Sequence, residues 1–392
     1  MNFKTNKMLI QNKKIAIIGG GIGGLTLARL LQLKGADVSV YERDLNPEVR
    51  VQGSTLDLHE GTGLEAMKRA GLIEEFYKYH RPTASKLRIV DQHLIVKFDD
   101  HGEDQSVAES RPEIDRAPLR DILLNALEPH TVVWDSQFIA MERYGEGWLL
   151  HFKHAMDAYA DLVIAADGAN SRVRPYLSNL KPIYSGITLV EGNIYDAEKN
   201  APHLFKLANG GKVMAFGSEQ FIGYGTKGDG SMMFVASVKI LEDDYNKARI
   251  DFKDNKQVSQ WFKDYFPGWT TGWDEFFVND NVQFIPRPQY YFALNQHWET
   301  QTNLTMIGDA AHRMPPFAGE GANVAMQDAF ELAECLTNGK YESLLEALSY
   351  FEKDMIRRGA EATQDTLENS DRMHSATALS AMLEFFSHPS GD

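Results

Sequence analysis

The sequence predicts an α/β fold with two domains and a C-terminal helix. Three patterns in the chain of 392 residues support this prediction. Residues 14–44 read as strand, glycine-rich turn, helix and strand, and residues 184–285 alternate apolar and polar side chains with period two. From residue 341 onward, apolar side chains recur at helical spacing. These patterns are typical of a parallel sheet, an antiparallel sheet and an amphipathic helix, respectively.

Composition and charge restrict the partners that we expect. Apolar residues make up 43% of the chain, so a large core can form, and the formal net charge is −15. This charge repels nucleic acids and anionic lipids, so we expect neither nucleic-acid nor membrane partners. No uncharged apolar run reaches the ~18–20 residues that a membrane helix requires. The single cysteine, Cys335, excludes an internal disulfide, and we expect a cytoplasmic monomer.

The first strand and helix carry a dinucleotide-binding pattern. An apolar run ends at Ile18, and G-x-G-x-x-G follows it at Gly19, Gly21 and Gly24. We expect Gly19 to permit a tight turn, Gly21 to let the backbone approach a pyrophosphate, and Gly24 to allow close helix–strand packing. Glu42 ends the next strand, where an acidic side chain can accept hydrogen bonds from ribose hydroxyls. The strand, helix and acid together give this otherwise weak motif its specificity and predict a Rossmann-like domain.

Two later segments have a similar form, although no second G-x-G-x-x-G accompanies them. "ADLVIAADGANSRVR" (160–174) is an apolar strand that ends at Asp167-Gly168. "LTMIGDAAHRMPPFAGEGANVAMQDA" (304–329) is a strand that ends at Gly308-Asp309, followed by a Pro/Gly-rich turn and a helix from about Val324. The alternative to a ligand site is a plain connecting loop, with Asp309 as a turn or N-cap residue.

The three motifs in this order resemble those of the group A flavoprotein monooxygenases. They are G-x-G-x-x-G, D-G-x-x-S-x-V-R and G-D-A-A-H-x-x-P-P-F-x-G-x-G, and the resemblance runs from about Lys14 to Gln364. Within that family, "VSVYERD", "GSTLDLHEGTGLEAMKRAGL" and "MIGDAAHRMPPFAGEGAN" look most like the tetracycline-inactivating monooxygenases. The resemblance implies the aromatic-hydroxylase fold, FAD as cofactor, and NADPH and O₂ as co-substrates. It also implies that the flavin carries oxygen as a hydroperoxide, so we predict no catalytic side chain.

The resemblance implies FAD-binding residues in each motif and in the segments between the first two. They are Gly19, Gly21, Gly24, Glu42, Arg43, Asp57, Arg116, Arg120, Asp167, Asp309, Pro316, Gly319, Gly321, Ala322 and Asn323. Asp309 would accept from a ribityl or ribose hydroxyl, and the backbone that opens the last helix would face the pyrimidine edge of the flavin. Arg116 would open a helix capped by Asp115, and Arg50 matches a position linked to NADPH. For Arg43 and Arg50, an ordinary surface arginine is an equal alternative.

The sequence predicts neither a catalytic nor a metal-binding role for its histidines. We interpret His312, in the G-D-A-A-H turn, as a structural histidine rather than an acid or base. The twelve histidines are scattered and show no metal-ligand spacing, so we predict no metal site.

The resemblance also predicts how the chain divides into domains. We expect the FAD-binding domain in residues 1–81, 106–180 and 286–340, a substrate-binding sheet domain in residues 82–105 and 181–285, and a bracing helix in residues 341–392. A short helix near the end would place Phe385 and Phe386 over the site.

We expect a small aromatic or polyketide substrate between the antiparallel sheet and the flavin. Tetracycline-inactivating relatives offer Gln, Arg and His to the polar edge of the antibiotic, and the corresponding positions here are Glu191, Lys212 and Met233. Met214 and Phe317 would keep apolar walls, although sheet packing is an equal explanation for all five residues. Tetracyclines are the leading substrates by family. The alternatives are another phenolic or polyketide substrate, a flavin oxidoreductase that is not an oxygenase, and a non-catalytic flavin sensor.

Overall fold

The computed structural model describes residues 8–49, 55–102, 111–244, 250–277 and 282–387, and it confirms the predicted fold. The strands are β1 (Lys14–Ile18), β2 (Asp37–Tyr41), β3 (Thr55–Asp57), β4 (Leu87–Asp91), β5 (Val96–Asp99), β6 (Glu113–Asp115), β7 (Val132–Val133), β8 (Phe138–Tyr144), β9 (Gly147–Phe152), β10 (Ala158–Ala160), β11 (Leu162–Ala165), β12 (Ile183–Ile194), β13 (Lys212–Phe216), β14 (Gln220–Thr226), β15 (Met232–Lys239), β16 (Gln283–Tyr291) and β17 (Leu304–Met306). The helices are α1 (Ile22–Gln32), α2 (Gly63–Arg69), α3 (Ile73–Tyr79), α4 (Arg116–Asn125), α5 (Ala197–Asn200), α6 (Pro202–Ala208), α7 (Asn255–Tyr265), α8 (Asp309–His312), α9 (Gly321–Thr337), α10 (Leu344–Met373) and α11 (Ala378–Ser387).

A five-stranded parallel sheet organises the first layer, in the order β17-β11-β1-β2-β7. Strand β11 and, after Lys14, strand β1 are apolar and buried because a parallel sheet is covered on both faces. Ile18 pairs with Ala165, which in turn pairs with Met306. These three strands therefore stop at the same level, and the residues that follow each of them lie at one edge of the sheet. Ligands bind at this carboxyl edge in open α/β sheets.

A seven-stranded, mainly antiparallel sheet forms the second layer, in the order β16-β12-β15-β14-β13-β4-β5. One face is filled by an aromatic-rich cluster that includes Phe234, Phe262 and Trp273. The opposite face packs on Phe317 and on α11. Strands β4 and β5 join the sheet from the segment 82–105, which the sequence assigns to the substrate-binding sheet domain. Because β16 continues to Tyr291, the sheet extends past the predicted domain boundary at residue 285.

The C-terminal segment forms the long predicted helix, α10, and the short helix α11. Ser343 caps α10, since its Oγ accepts a hydrogen bond from the Glu346 N–H at 3.2 Å. Phe386 packs against the apolar cluster on the sheet. Phe385 is 52% exposed, so the prediction that both phenylalanines cover the site is wrong for Phe385. Consecutive residues on a helix point in different directions, and only one of the two can face the sheet.

None of the helices in the described residues is long and apolar enough to cross a membrane.

Helix α9 begins at Gly321, which is earlier than the Val324 start that the sequence predicts. The small residues at its first positions pack closely, as described below.

Candidate functional site

The glycine-rich turn after β1 packs tightly against neighbouring protein atoms at two of its three motif glycines. Gly19 has φ of +111°, and a Cβ at this position would lie 2.3 Å from the Ala166 carbonyl oxygen. A Cβ on Gly24 would lie 2.2 Å from the Gly19 oxygen. At Gly21, by contrast, a Cβ would meet nothing within 4 Å in the described part of the chain. The turn therefore needs glycine for packing at two positions and is open at the third.

Helices α1 and α9 meet near their first turns. A Cβ on Gly23 would lie 3.2 Å from the Ala325 Cβ, and a Cβ on Gly308 would lie 3.0 Å from the same atom. The first N–H groups of a helix have no partner inside the helix, and they carry the positive end of its dipole. Two such N-termini at one sheet edge form a suitable environment for anions. We call this region, between Gly21, Asp309 and the loop 313–320, the sheet-edge cleft.

The Asp309 side chain lies in this cleft. It is exposed on the side of the cleft, and a Cβ on Gly321 would lie 4.0 Å from its Oδ1. Protein atoms on its other sides reduce its hydration and raise the pKa of Asp309, while His312, Arg116 and Arg313 oppose the rise. A carboxyl group that is open on one side and close to cations is well placed to accept hydrogen bonds from hydroxyl groups.

Glu42 and Arg120 form hydrogen bonds with the backbone of the glycine-rich turn. Both are 3% exposed. The Glu42 carboxylate accepts from the Gly20 N–H at 2.7 Å and the Asp44 N–H at 3.0 Å. Arg120 donates to the Gly20 carbonyl at 3.4 Å and to the Pro47 carbonyl at 3.0 Å. Both residues lie at the turn, where they orient its backbone, whereas the Arg43 side chain is exposed.

Helix α4 begins as the sequence predicts, but its cap differs. Arg116 is its first residue and is half-buried, within electrostatic reach of Asp309. Asp115 occupies the N-cap position, yet its carboxylate accepts from Arg81 Nη1 at 3.0 Å and from the Gly228 N–H at 2.8 Å. The predicted capping role is therefore wrong, because contacts with the antiparallel sheet layer take the carboxylate away from the helix.

The second motif is tied to the third by a buried arginine. Asp167 closes its own turn by accepting from the Arg172 N–H at 2.7 Å, and burial raises the pKa of Asp167. Arg174 is 5% exposed and donates to the Ala310 and Ala311 carbonyls, each at 2.9 Å. Burial lowers the pKa of Arg174 to about 10. Sequence reasoning gave Arg174 no role, and its only signal was its place in D-G-x-x-S-x-V-R.

His312 is turned away from the cleft. Its Nε2 lies 2.6 Å from Asp328 Oδ2, and both residues are buried. Asp328 also accepts from the Gly308 N–H at 2.9 Å and from Arg358 Nη2 at 3.2 Å. Burial by itself would lower the pKa of His312, but Asp328 outweighs it and raises that pKa. This geometry agrees with a structural histidine. The sequence signal for Asp328 was a carboxylate between the apolar residues Met326 and Ala329 on the buried face of α9.

The loop after β3 docks on the start of α9. Asn323 is buried, its Oδ1 accepts from the His59 N–H at 2.9 Å, and its Nδ2 donates to the Asp57 carbonyl at 2.9 Å. The sequence predicted only a backbone role for Asn323. Asp57 lies next to Gly319, whose φ is +72° and whose Cβ would stand 3.5 Å from Asp57 Oδ1. In the loop 313–320, Pro316 and Gly319 are exposed. At the start of α9, Gly321 and Ala322 are half-buried.

The five residues predicted to bind substrate lie on one face of the antiparallel sheet or beside it. Val213 and Phe234 pack into the aromatic-rich core, so their strand neighbours Lys212, Met214 and Met233 point to the opposite face. Met214 and Phe317 join the apolar cluster on that face. The same alternation places Glu191 there, since Val190 packs into the aromatic-rich core.

Both charged members of this set are paired within the protein. Lys212 Nζ contacts the carboxylate of Glu113, which is 3% exposed. Burial raises the pKa of Glu113, and Lys212 opposes the rise. Glu191 Oε2 accepts from Arg287 Nε at 3.0 Å.

His374, at the end of α10, was not predicted. It is fully buried, with Nε2 2.7 Å from Ser237 Oγ, Nδ1 2.8 Å from the Ser370 carbonyl, and its ring centroid 5.1 Å from that of Phe317. Burial lowers the pKa of His374 to about 4. A carbonyl only accepts, so Nδ1 carries the proton and Nε2 accepts from the serine. A lone histidine gives no sequence signal for such a role.

A family model described as "FAD binding domain" matches residues 12–346. The chain belongs to this family, the group A aromatic-hydroxylase-type monooxygenases. Monooxygenase penA of Penicillium thymicola is 26% identical over 412 residues, and the match covers 91% of this chain and 94% of that protein.

Two solved structures show the same fold. Klebsiella pneumoniae HpxO complexed with FAD and uric acid has a TM-score of 0.74 at 19% identity, over 97% of this chain and 93% of that one. Tetracycline destructase Tet(55) has a TM-score of 0.74 at 18% identity, over 94% of this chain and 92% of that one.

The cleft residues fit the cofactor of this family of flavin-dependent monooxygenases. A side chain at Gly21 would fill the space beside the N-terminus of α1, where a pyrophosphate needs close backbone approach. Asp167 Oδ1 is buried and makes no hydrogen bond within the described residues, so it can still accept one. Arg50, predicted to contact NADPH, lies outside the described residues.

Proposed function

We propose that the protein uses FAD, NADPH and O₂ to hydroxylate an aromatic or polycyclic small molecule, with tetracyclines as the first substrate class to test. One observation carries the proposal. Three strands that are distant in sequence end at the same level and bring Gly21, Asp167 and Asp309 to one cleft. An apolar sheet face with Phe317 beside it lies against the loop that borders this cleft.

The cleft offers a separate group for each part of FAD. Gly21 and the N-terminus of α1 would take the pyrophosphate, Asp309 would accept from sugar hydroxyls, and the N-terminus of α9 would face the pyrimidine edge. Glu42, which is buried and accepts from the Gly20 and Asp44 N–H groups, would hold the turn in position. Bound FAD supplies the chemistry, because it accepts reducing equivalents and activates O₂. The protein holds, orients and shields, and no side-chain nucleophile is needed.

The substrate side combines apolar walls with a cation. Met214 and Phe317 would pack on a flat ring system and exclude water from it. The Lys212 side chain is 34% exposed beside Glu113, so its ammonium group can also meet a phenolate or enolate oxygen. This arrangement suits an aromatic or enolic substrate better than a saturated one.

Activity measurements test the proposal directly. We expect a yellow protein that oxidises NADPH slowly alone and faster, with oxygen uptake, when an aromatic substrate is added. Mass spectrometry of a tetracycline incubated with enzyme and NADPH should show a gain of one oxygen atom. Parallel assays with NADH rank the coenzymes. If oxygen uptake and NADPH loss respond to no aromatic or polycyclic compound, the proposal fails.

A second substrate class is favoured by the polar edge of the sheet. Glu191 accepts a hydrogen bond from Arg287, and Met233 cannot donate one. This edge of the sheet therefore offers a substrate fewer polar groups than the corresponding edge in tetracycline-inactivating relatives. This favours another phenolic or polyketide substrate with fewer polar groups.

We predict that Glu191→Gln combined with Met233→His raises kcat/KM for tetracycline about 30-fold, because two restored hydrogen bonds are worth about 1 kcal/mol each. The ratio kcat/KM for tetracycline measures the gain. Ile183→Val, at the exposed start of β12 and outside the proposed substrate residues, is the control and should leave the ratio unchanged. An unaltered ratio in the double variant would show that these positions do not meet the substrate.

A further inference from the structure

The N-cap of α9 carries a negative charge that the flavin site must accommodate. Glu320 occupies this N-cap position and is 28% exposed. The positive end of the helix dipole favours negative charge on a ligand at this place, whereas a nearby carboxylate disfavours it. Reduced flavin carries negative charge at its pyrimidine edge, so an uncompensated Glu320 would oppose the reduction of bound FAD.

His59 stands between Glu320 and a second carboxylate. Its Nδ1 lies 3.3 Å from Glu320 Oε1, and its Nε2 lies 3.0 Å from Asp57 Oδ2. The ring is held in place because the buried Asn323, which is on α9, accepts from the His59 backbone N–H at 2.9 Å. A carboxylate therefore lies near each ring nitrogen, and in imidazolium both nitrogens can donate to these carboxylates.

The neighbouring charges support the protonated ring. Burial alone would lower the pKa of His59, but Asp57 and Glu320 outweigh it and raise the pKa to about 9, with Arg111 opposing. The pKa of Asp57 lies at about 2, since His59, Lys212 and Arg111 overcome the effect of its burial.

Two further groups define the surroundings of the ring. Arg111 lies against the same edge of His59, with Nε 3.3 Å from Asp57 Oδ2 and Nη2 3.8 Å from Glu320 Oε1. Arg111 Nε also lies 2.9 Å from His59 Nε2, so Arg111 and Asp57 compete for this nitrogen: Nε2 accepts from Arg111 in the neutral ring and donates to Asp57 in imidazolium. Glu113 faces Lys212 on the far side of Asp57.

We infer that His59 is a positioning residue that neutralises Glu320 at the N-cap of α9, so that the helix end can favour reduced FAD. The inference rests on the proposed function, because it requires FAD in the sheet-edge cleft. Its consequence is a coupling: the effect of the His59 charge on the flavin depends on the presence of the Glu320 carboxylate.

A double-mutant cycle read by the midpoint potential of bound FAD tests this coupling. Relative to wild type, we expect His59→Asn to lower the preference for reduced over oxidised FAD about tenfold, the size of one charge at a partly screened site. For a two-electron couple this is about 30 mV. Glu320→Gln should raise the preference about tenfold, and His59→Asn made in the Glu320→Gln protein should change it much less. Glu334→Gln, on the same helix but at its far end, is the matched control and should have no effect.

A charge-preserving variant and the pH dependence of the FAD potential distinguish the effect of the His59 charge from that of its ring shape. His59→Lys keeps the charge and should restore most of the potential, although the ring is lost. The wild-type potential should fall more steeply with pH once His59 deprotonates near pH 9, and Glu320→Gln should move this bend to lower pH.

Each outcome decides a separate question. Equal potentials for wild type and His59→Asn, both yellow, would overturn this inference and leave the proposed function standing. A wild-type protein that binds no FAD would overturn both. If His59→Asn does not fold, Glu320→Gln alone decides, and an unchanged potential in that variant refutes the inference.

Discussion

Gly21→Val is expected to give a folded, colourless protein, whereas Gly19→Ala is expected to lose stability. At Gly21 a side chain meets only open space, so the fold tolerates it, but it fills the path by which a pyrophosphate approaches the backbone. Losing a backbone hydrogen bond to a charged group should weaken FAD binding about 100-fold. At Gly19 a side chain would require strained backbone at φ of +111° and would collide with the Ala166 carbonyl. Together these should cost about 3 kcal/mol or more.

Two measurements separate these effects. Denaturant unfolding of the FAD-free proteins gives their stability, and fluorescence titration with FAD gives the dissociation constant. Gly102→Ala is the control, since Gly102 is exposed and a Cβ there meets nothing within 4 Å in the described chain. Wild-type FAD affinity in Gly21→Val would show that the phosphates lie elsewhere. Wild-type stability in Gly19→Ala would contradict the close approach of β1 and β11.

The fold was predictable because its signals are local and periodic. The apolar run at 15–18 followed by spaced glycines specifies strand, turn and helix without reference to the rest of the chain. Two such strand ends recur later, and the carboxyl ends of parallel strands share one edge. The same logic located Gly19, Gly21, Gly24 and Asp309 at the cleft, although their contacts with FAD remain predictions.

Side-chain partners were less predictable because they depend on contacts between remote segments. Asp115 occupies the N-cap position of α4 as local rules predict, yet its carboxylate binds Gly228, 113 residues away. Asn323 and His59 are separated by 264 residues. Propensity and spacing describe neighbours along the chain, whereas these hydrogen bonds form only after the layers have docked. The ion pairs of Lys212 and Glu191 were missed for the same reason.

Stability should fall on both sides of about pH 6.5, the ordinary pKa of histidine, because the pKa of the buried His374 is lowered whereas those of the half-buried His59 and the buried His312 are raised. His374 has its pKa lowered to about 4, so between pH 4 and 6.5 the unfolded chain binds a proton that the folded protein does not. Stability therefore rises with pH in this range. His59 has its pKa raised to about 9, so between pH 6.5 and 9 the folded protein holds the extra proton, and stability falls as pH rises. Each limb is on the order of 3 kcal/mol.

Thermal unfolding midpoints from pH 3 to 10 at constant FAD would show both limbs, and variants would assign them. His374→Gln should reduce the acid limb. The later losses from protonation of carboxyls with lowered pKa values would remain, among them Asp57, whose pKa is about 2, and Asp91, Asp99, Asp229 and Asp254. His59→Asn should reduce the alkaline limb to the part that His312 and Asp328 contribute, and it should leave the acid limb in place. His154→Asn, at an exposed position, is the control and should preserve the whole profile. An alkaline limb of unchanged size in His59→Asn would mean that His59 is not held as imidazolium between Asp57 and Glu320. The acid limb tests whether the His374 ring is neutral in the folded protein, with Nε2 accepting from Ser237 Oγ and Nδ1 donating to the Ser370 carbonyl. The two limbs thus report on two ends of the site, the loop docked on α9 and the helix end packed on Phe317.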